Sequence, residues 1–106
     1  MRFMVILRTK DTYFMLPEER QLKLFEDSVA FVERHRKAGN CKEINYLPGS
    51  KGTVSIWVAE SSEEITLRFL ENPMSIYEDA QIYLLSDWDA FVSTTRKIYR
   101  HLLAKK

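Results

Sequence analysis

Glu43 and His35 are the side chains of this 106-residue chain best suited to moving a proton. A carboxylate held among apolar side chains has its pKa raised towards neutrality, and histidine titrates there unaided, so either can act as acid or base. The competing reading for Glu43 is a salt bridge to Arg8 or Lys42, or a solvated strand edge. For His35 it is a place on a helix surface. Around them stand Arg8, Asn45, Ser55, Trp57 and Tyr83, together with Gln81, the polar and aromatic groups that would line a small-molecule cavity. Trp57 and Tyr83 suit stacking on a planar or cyclic ligand, and equally suit a packed interface. His35 and His101 have no nearby Cys, His or carboxylate at ligand spacing, so no metal site is expected. No phosphate-cradling glycine loop and no serine elbow occurs. A single cysteine, Cys41, excludes an intrachain disulfide.

The cavity exists only if strands present these residues together. Arg2–Arg8 (RFMVILR) is an apolar run of strand length with apolar residues on both faces. Pro17, Glu18 and Glu19 open a helix that runs to about Ala38 and ends at Gly39, with Leu22, Phe25, Val29 and Val32 as its apolar stripe. Tyr13, Phe14 and Met15 precede it, either as a lid on the cavity mouth or packed under a neighbour. Lys42–Tyr46 and Thr53–Ala59 alternate around the turn-rich Leu47–Gly52 and read as a β-hairpin. Ser61 with Glu64 is a capping-box pattern for a second helix, which stops before Asn72-Pro73. A connector through Met74 and Tyr77 leads to a fourth strand, Gln81–Leu85. Asp87 then caps a final helix over about 87–103, with Trp88, Phe91, Val92, Thr95, Ile98, Tyr99 and Leu102 on one side.

The order β-α-β-β-α-β plus a C-terminal helix predicts a single α+β domain of ferredoxin-like type over 1–106, both crossover helices on one face of a four-stranded antiparallel sheet. Alternation places Ile44, Tyr46, Val54, Ile56, Val58, Ile82 and Leu84 against the helices. It sends Glu43, Asn45, Ser55, Trp57, Gln81 and Tyr83 to the other face. So much apolar area on an uncovered face predicts association with itself, as a homodimer or higher homo-oligomer enclosing a cavity.

The glycine ending the first helix, Leu47-Pro48-Gly49, Val54-Ser55-Ile56-Trp57, Ser61 with Glu63 and Glu64, and Asn72-Pro73-Met74 together resemble the muconolactone isomerase-like group of the dimeric α/β-barrel superfamily. The resemblance spans roughly Arg2 to Asp87. It implies isomerisation of an unsaturated lactone or related cyclic compound by proton transfer, with no metal and no organic cofactor. Glu43, then His35, are the catalytic candidates, and Arg8, Asn45, Ser55, Trp57 and Tyr83 the substrate-binding ones. A non-catalytic ligand-binding or structural dimer is the alternative, and a small cofactor-independent monooxygenase a further one.

A formal charge of +1 provides no general field for nucleic acid, and the uncharged TVSIWVA strand lacks the basic residues of an RNA-binding sheet. Neither nucleic acid nor membrane is expected as a partner, and a cytoplasmic setting is expected. Charge is nevertheless uneven: Glu60–Asp89 holds eight acidic residues against Arg68 alone, and Arg96–Lys106 holds five Lys/Arg and no acid. Helix-dipole complementation and solubility explain this, or else a basic tail docks on a partner's acidic edge.

Overall fold

A computed structural model describes residues 1–106. Strand β1 (Arg2–Thr9) leads through a single helical turn, α1 (Asp11–Phe14), to α2 (Glu18–Lys37). The hairpin β2 (Cys41–Leu47) and β3 (Gly52–Val58) follows, then α3 (Ser62–Leu70), a 3-10 turn at Ser75–Tyr77, β4 (Glu78–Leu85) and α4 (Trp88–Ala104). The sheet is antiparallel in the order β2-β3-β1-β4, the expected ferredoxin-like arrangement. No helix is long and apolar enough to cross a membrane.

Local chemistry explains the boundaries. Gly39 takes a positive φ of 82° just past the α2 cap at Ala38, where a side chain would be strained. Ser61 Oγ accepts from the Glu64 amide at 3.0 Å, and the Glu64 carboxylate reaches back to the Glu60 amide at 3.0 Å, so α3 begins with a reciprocal cap. Gly52 sits where a Cβ would lie 2.1 Å from the Leu7 carbonyl oxygen, which only glycine permits.

Register then assigns every strand residue to a face. Rows Cys41–Trp57–Phe3–Leu84, Ile44–Ser55–Val5–Ile82 and Tyr46–Thr53–Leu7–Ala80 lie on the helix side. Glu43–Ile56–Met4–Tyr83 and Asn45–Val54–Ile6–Gln81 lie on the open side. Strand β3 is therefore turned over relative to the expectation. Ser55 and Trp57 face the helices and are buried, whereas Val54, Ile56 and Val58 face outwards.

The reason is the indole. Trp57 fills the space among Phe3, Phe31, Ile65 and Phe69 in one core cluster, with the Phe69 ring edge-on at 4.8 Å. Its N–H donates to Ser55 Oγ at 2.8 Å, and Ser55 donates in turn towards the Val5 carbonyl at 3.4 Å. Ser55 is thus the indole's buried partner, not a cavity group.

Helix α2 also turns differently. Leu24 and Phe31 are its buried residues and Val32 is partly covered, while Leu22, Phe25 and Val29 remain exposed. Its apolar arc is wider than one sheet covers.

Removing the hydroxyl should leave a buried indole N–H without a partner. Ser55→Ala is expected to lower unfolding stability by about 1–3 kcal/mol, and Trp57→Ala by about 3–5 kcal/mol, in urea titration followed by circular dichroism. An unchanged Ser55→Ala midpoint would contradict the assigned face.

Candidate functional site

The expected site residues divide between two sides of the sheet. Glu43, Asn45, Arg8, Gln81 and Tyr83 stand on the open face, where Asn45 donates to Glu43 at 3.2 Å. Glu43 is solvent-exposed, because β2 is an edge strand, so no apolar enclosure surrounds it within the chain. Arg8 and Gln81 border a polar depression of about 380 Å³ with Ile6 and Asp79.

His35 lies on the opposite side of the sheet from Glu43. Its ring packs edge-on to Phe31 at 4.7 Å and to Trp57 at 5.5 Å, and its Nδ1 is 3.1 Å from the Asn40 side-chain nitrogen. Burial, then the Arg68 and Arg34 charges, pushes its pKa down, with Glu71 opposing. A neutral ring accepting from Asn40 fits a packing role at the core's edge. His35 and Glu43 cannot act on one substrate within a chain, and Ser55 and Trp57 are closed to any ligand by the core.

The chain's apolar cavity lies elsewhere, on the helix side at the end of the sheet where Thr9 pairs with Glu78. It measures about 520 Å³, a size that holds a small organic molecule. Small residues leave this space: Gly52 and Thr53 on β3, and Ser28 on α2 between the buried Leu24 and Phe31. Leu7, Phe25, Val32 and Ile44 form apolar walls.

Met74 and Tyr13 close the cavity from the side of a second small core, in which they pack with Leu24. Asn72 Oδ1 accepts from the Met74 amide at 3.0 Å and so holds the Asn72-Pro73-Met74 turn against the cavity. The Tyr13 hydroxyl donates to the Gln21 carbonyl at 2.6 Å, so its proton is committed to the fold. Phe14 and Lys51 form the mouth, the Lys51 ammonium 5.0 Å from the Phe14 ring centre and 3.6 Å from Asp11. Lys51 holds a φ of 56°, unusual for a residue with a side chain.

Glu78 is the carboxyl among these walls. Desolvation alone raises its pKa from 4.5 to about 7. Near neutrality it is therefore divided between acid and carboxylate, the condition under which one group both takes and returns a proton. In the sequence, Glu78-Asp79-Ala80 has the look of a polar connector ahead of the strand. The available signal was the period of two running back from Leu84 through Ile82 and Ala80, which puts Glu78 on the helix side once β4 starts three residues earlier. No three His, Cys, Asp or Glu side chains converge to hold a metal ion.

No family model and no curated protein matches the chain. Among solved structures it is similar to the crystal structure of muconolactone isomerase, with a TM-score of 0.68 and 22% identity over 83% of this chain and 92% of that one. The chain thus has the muconolactone isomerase-like fold, in keeping with the resemblance carried by its glycine and proline motifs.

The Glu78 pKa has a stability consequence. Its folded value lies above its unfolded one, so the carboxyl costs nothing below about pH 4.5, costs increasingly between 4.5 and about 7, and costs fully above that. Glu78→Gln should therefore match the wild type at pH 4 and exceed it at pH 8 by about 3 kcal/mol. Thermal or urea unfolding at the two pH values checks this, and a gain equal at both would refute the buried-acid assignment.

Proposed function

We propose that this chain is a proton-transfer isomerase of small unsaturated cyclic compounds, lactones foremost, working without metal or organic cofactor, with Glu78 as the shuttling carboxyl. One observation carries the reading: a single carboxyl with its pKa pushed up to about 7 inside an apolar cavity of about 520 Å³. The shared fold with muconolactone isomerase supports the reaction class. In the proposed step the Glu78 carboxylate takes a proton from the carbon next to a carbonyl, which leaves a conjugated enolate. The resulting acid returns the proton at the far carbon of that system, so the double bond moves and no atom is gained or lost. Lys51 at the mouth offsets the negative charge of the enolate or of a substrate carboxylate.

The same proposal includes a homodimer. Met4, Ile6, Val54, Ile56, Val58, Tyr83 and Leu85 share the open face, and pairing two such faces would remove that apolar area from water. Glu43, Asn45 and Arg8 would then line the interior of the dimer instead of the Glu78 cavity.

Turnover tests the chemistry. With a panel of unsaturated lactones and enones, kcat/KM should rise with pH to a plateau through a midpoint near 7, because the base form is the active one. Glu78→Gln should lose about 10²–10⁴-fold in rate, whereas Glu43→Gln should retain it. Tight lactone binding with no turnover, unchanged by Glu78→Gln, would instead make the cavity a ligand-carrying site.

A further inference from the structure

The cavity that holds Glu78 is much longer than the part surrounding the carboxyl. On the helix side of the sheet Glu78 pairs with Thr9, and the Thr9 amide donates to the Lys51 carbonyl at 2.9 Å, so Glu78, Thr9 and Lys51 form the end row. Ile44 also lines the cavity, two rows further in, level with Ser55, Val5 and Ile82 and on the opposite edge strand. Four residues along the strands at about 3.3 Å each, and three strand spacings of about 4.8 Å, set the Glu78 and Ile44 Cα atoms about 19 Å apart. Helix α2 follows the same course. Phe25 and Val32 both line the cavity, and seven residues of helix separate them by about 10 Å.

A single lactone ring is only a few bond lengths across, so a ring seated against Glu78 leaves the Ile44 end unfilled. The volume agrees. The cavity measures about 520 Å³, and sites of about 300–1,000 Å³ enclose ligands of drug size. An apolar space left empty forfeits the contacts its walls would otherwise make.

Charge divides the cavity in the same sense. Glu78 and Lys51 are the only acidic or basic residues among its walls, and both belong to the end row. Towards Ile44 the walls are Phe25, Val32 and Tyr46, of which Phe25 is 53% and Tyr46 67% exposed. Two large rings on separate elements are thus left for the occupant to cover.

We propose that the cavity takes a substrate in two parts: a polar unsaturated ring at the Glu78 and Lys51 end, and an uncharged apolar tail, an aryl group or an alkyl chain of about six carbons, lying along Phe25 and Val32 to Ile44. Phe25, Val32 and Ile44 are then the residues that determine specificity. The placing of the ring rests on the proton-transfer reading of Glu78, whereas the tail site rests on the shape and polarity of the cavity alone.

The test separates binding from turnover by using saturated γ-alkyl butyrolactones, which have no double bond to move, with chains from methyl to decyl. In calorimetric titration of the full chain, the association constant should rise about two- to fourfold per methylene. The rise should level off beyond about six carbons, where the tail passes the Ile44 end. Ile44→Phe should bring that levelling to shorter chains, and Phe25→Ala, at an exposed position where the fold is retained, should shrink the gain per methylene. In spectra of methyl-labelled protein the hexyl compound should shift the Val32 and Ile44 resonances more than the methyl compound does. No dependence on chain length, or a rise that continues to decyl and is the same in both variants, would overturn the tail site. Shifts confined to Val54 and Ile56 would overturn it too, by placing the compounds on the open sheet face. Tail-dependent binding without turnover of the matching unsaturated lactones would refute the proton-transfer reading and leave the tail site standing, and turnover indifferent to chain length would do the reverse.

Discussion

The burial of Trp57 is the constraint from which the remaining geometry follows. An indole is the largest apolar body the chain can hide, and hiding it requires a hydrogen-bond acceptor for its N–H in a place without water. Ser55, two residues earlier and therefore on the same side of β3, supplies that acceptor and passes its own proton on to the backbone of β1. Once that face of β3 is turned to the helices, antiparallel register leaves no freedom elsewhere. Phe3, Val5 and Leu7 follow it inwards, as do Ile44 and Ile82, and Met4, Ile6, Val54 and Ile56 are sent to the other face.

The same register creates the cavity. Aromatic bulk concentrates at the Trp57 end of the sheet, where Phe3, Phe31 and Phe69 close around the indole. The opposite end receives Gly52, Thr53 and Ser28, too small to meet across the gap between sheet and helix. Glu78 begins β4 at that end and on that side, so a carboxyl enters an apolar space and loses solvent. Its raised pKa results from where the strand starts, and moving that start by one residue would turn the carboxyl to the open face.

Two apolar surfaces remain that the chain does not cover, the open sheet face and the stripe of α4. They have different origins. The open face results from having both crossover helices on one side, which right-handed connections impose. The α4 stripe belongs to a helix that follows β4 after two residues and buries none of its own side chains.

The element order, the limits of α2 from Pro17 to Gly39, the reciprocal cap at Ser61 and Glu64, and the association of Asn72-Pro73 with a tight turn were all legible in the sequence, because each depends on the conformational limits of a few adjacent residues. So was the muconolactone isomerase-like fold. The facing of β3 was not, since VSIWV carries apolar residues on both sides and Ser55 reads as an outward group until the indole it serves is placed. The phase of α2 was hidden likewise by apolar residues spread over a broad arc. The cavity carboxyl could be recognised only after pairing with Thr9 showed β4 beginning at Glu78. Local steric rules determine where elements begin and end, while the facing of a doubly apolar strand and the solvation of one carboxyl are decided by contacts between residues of different elements, brought together only by the fold.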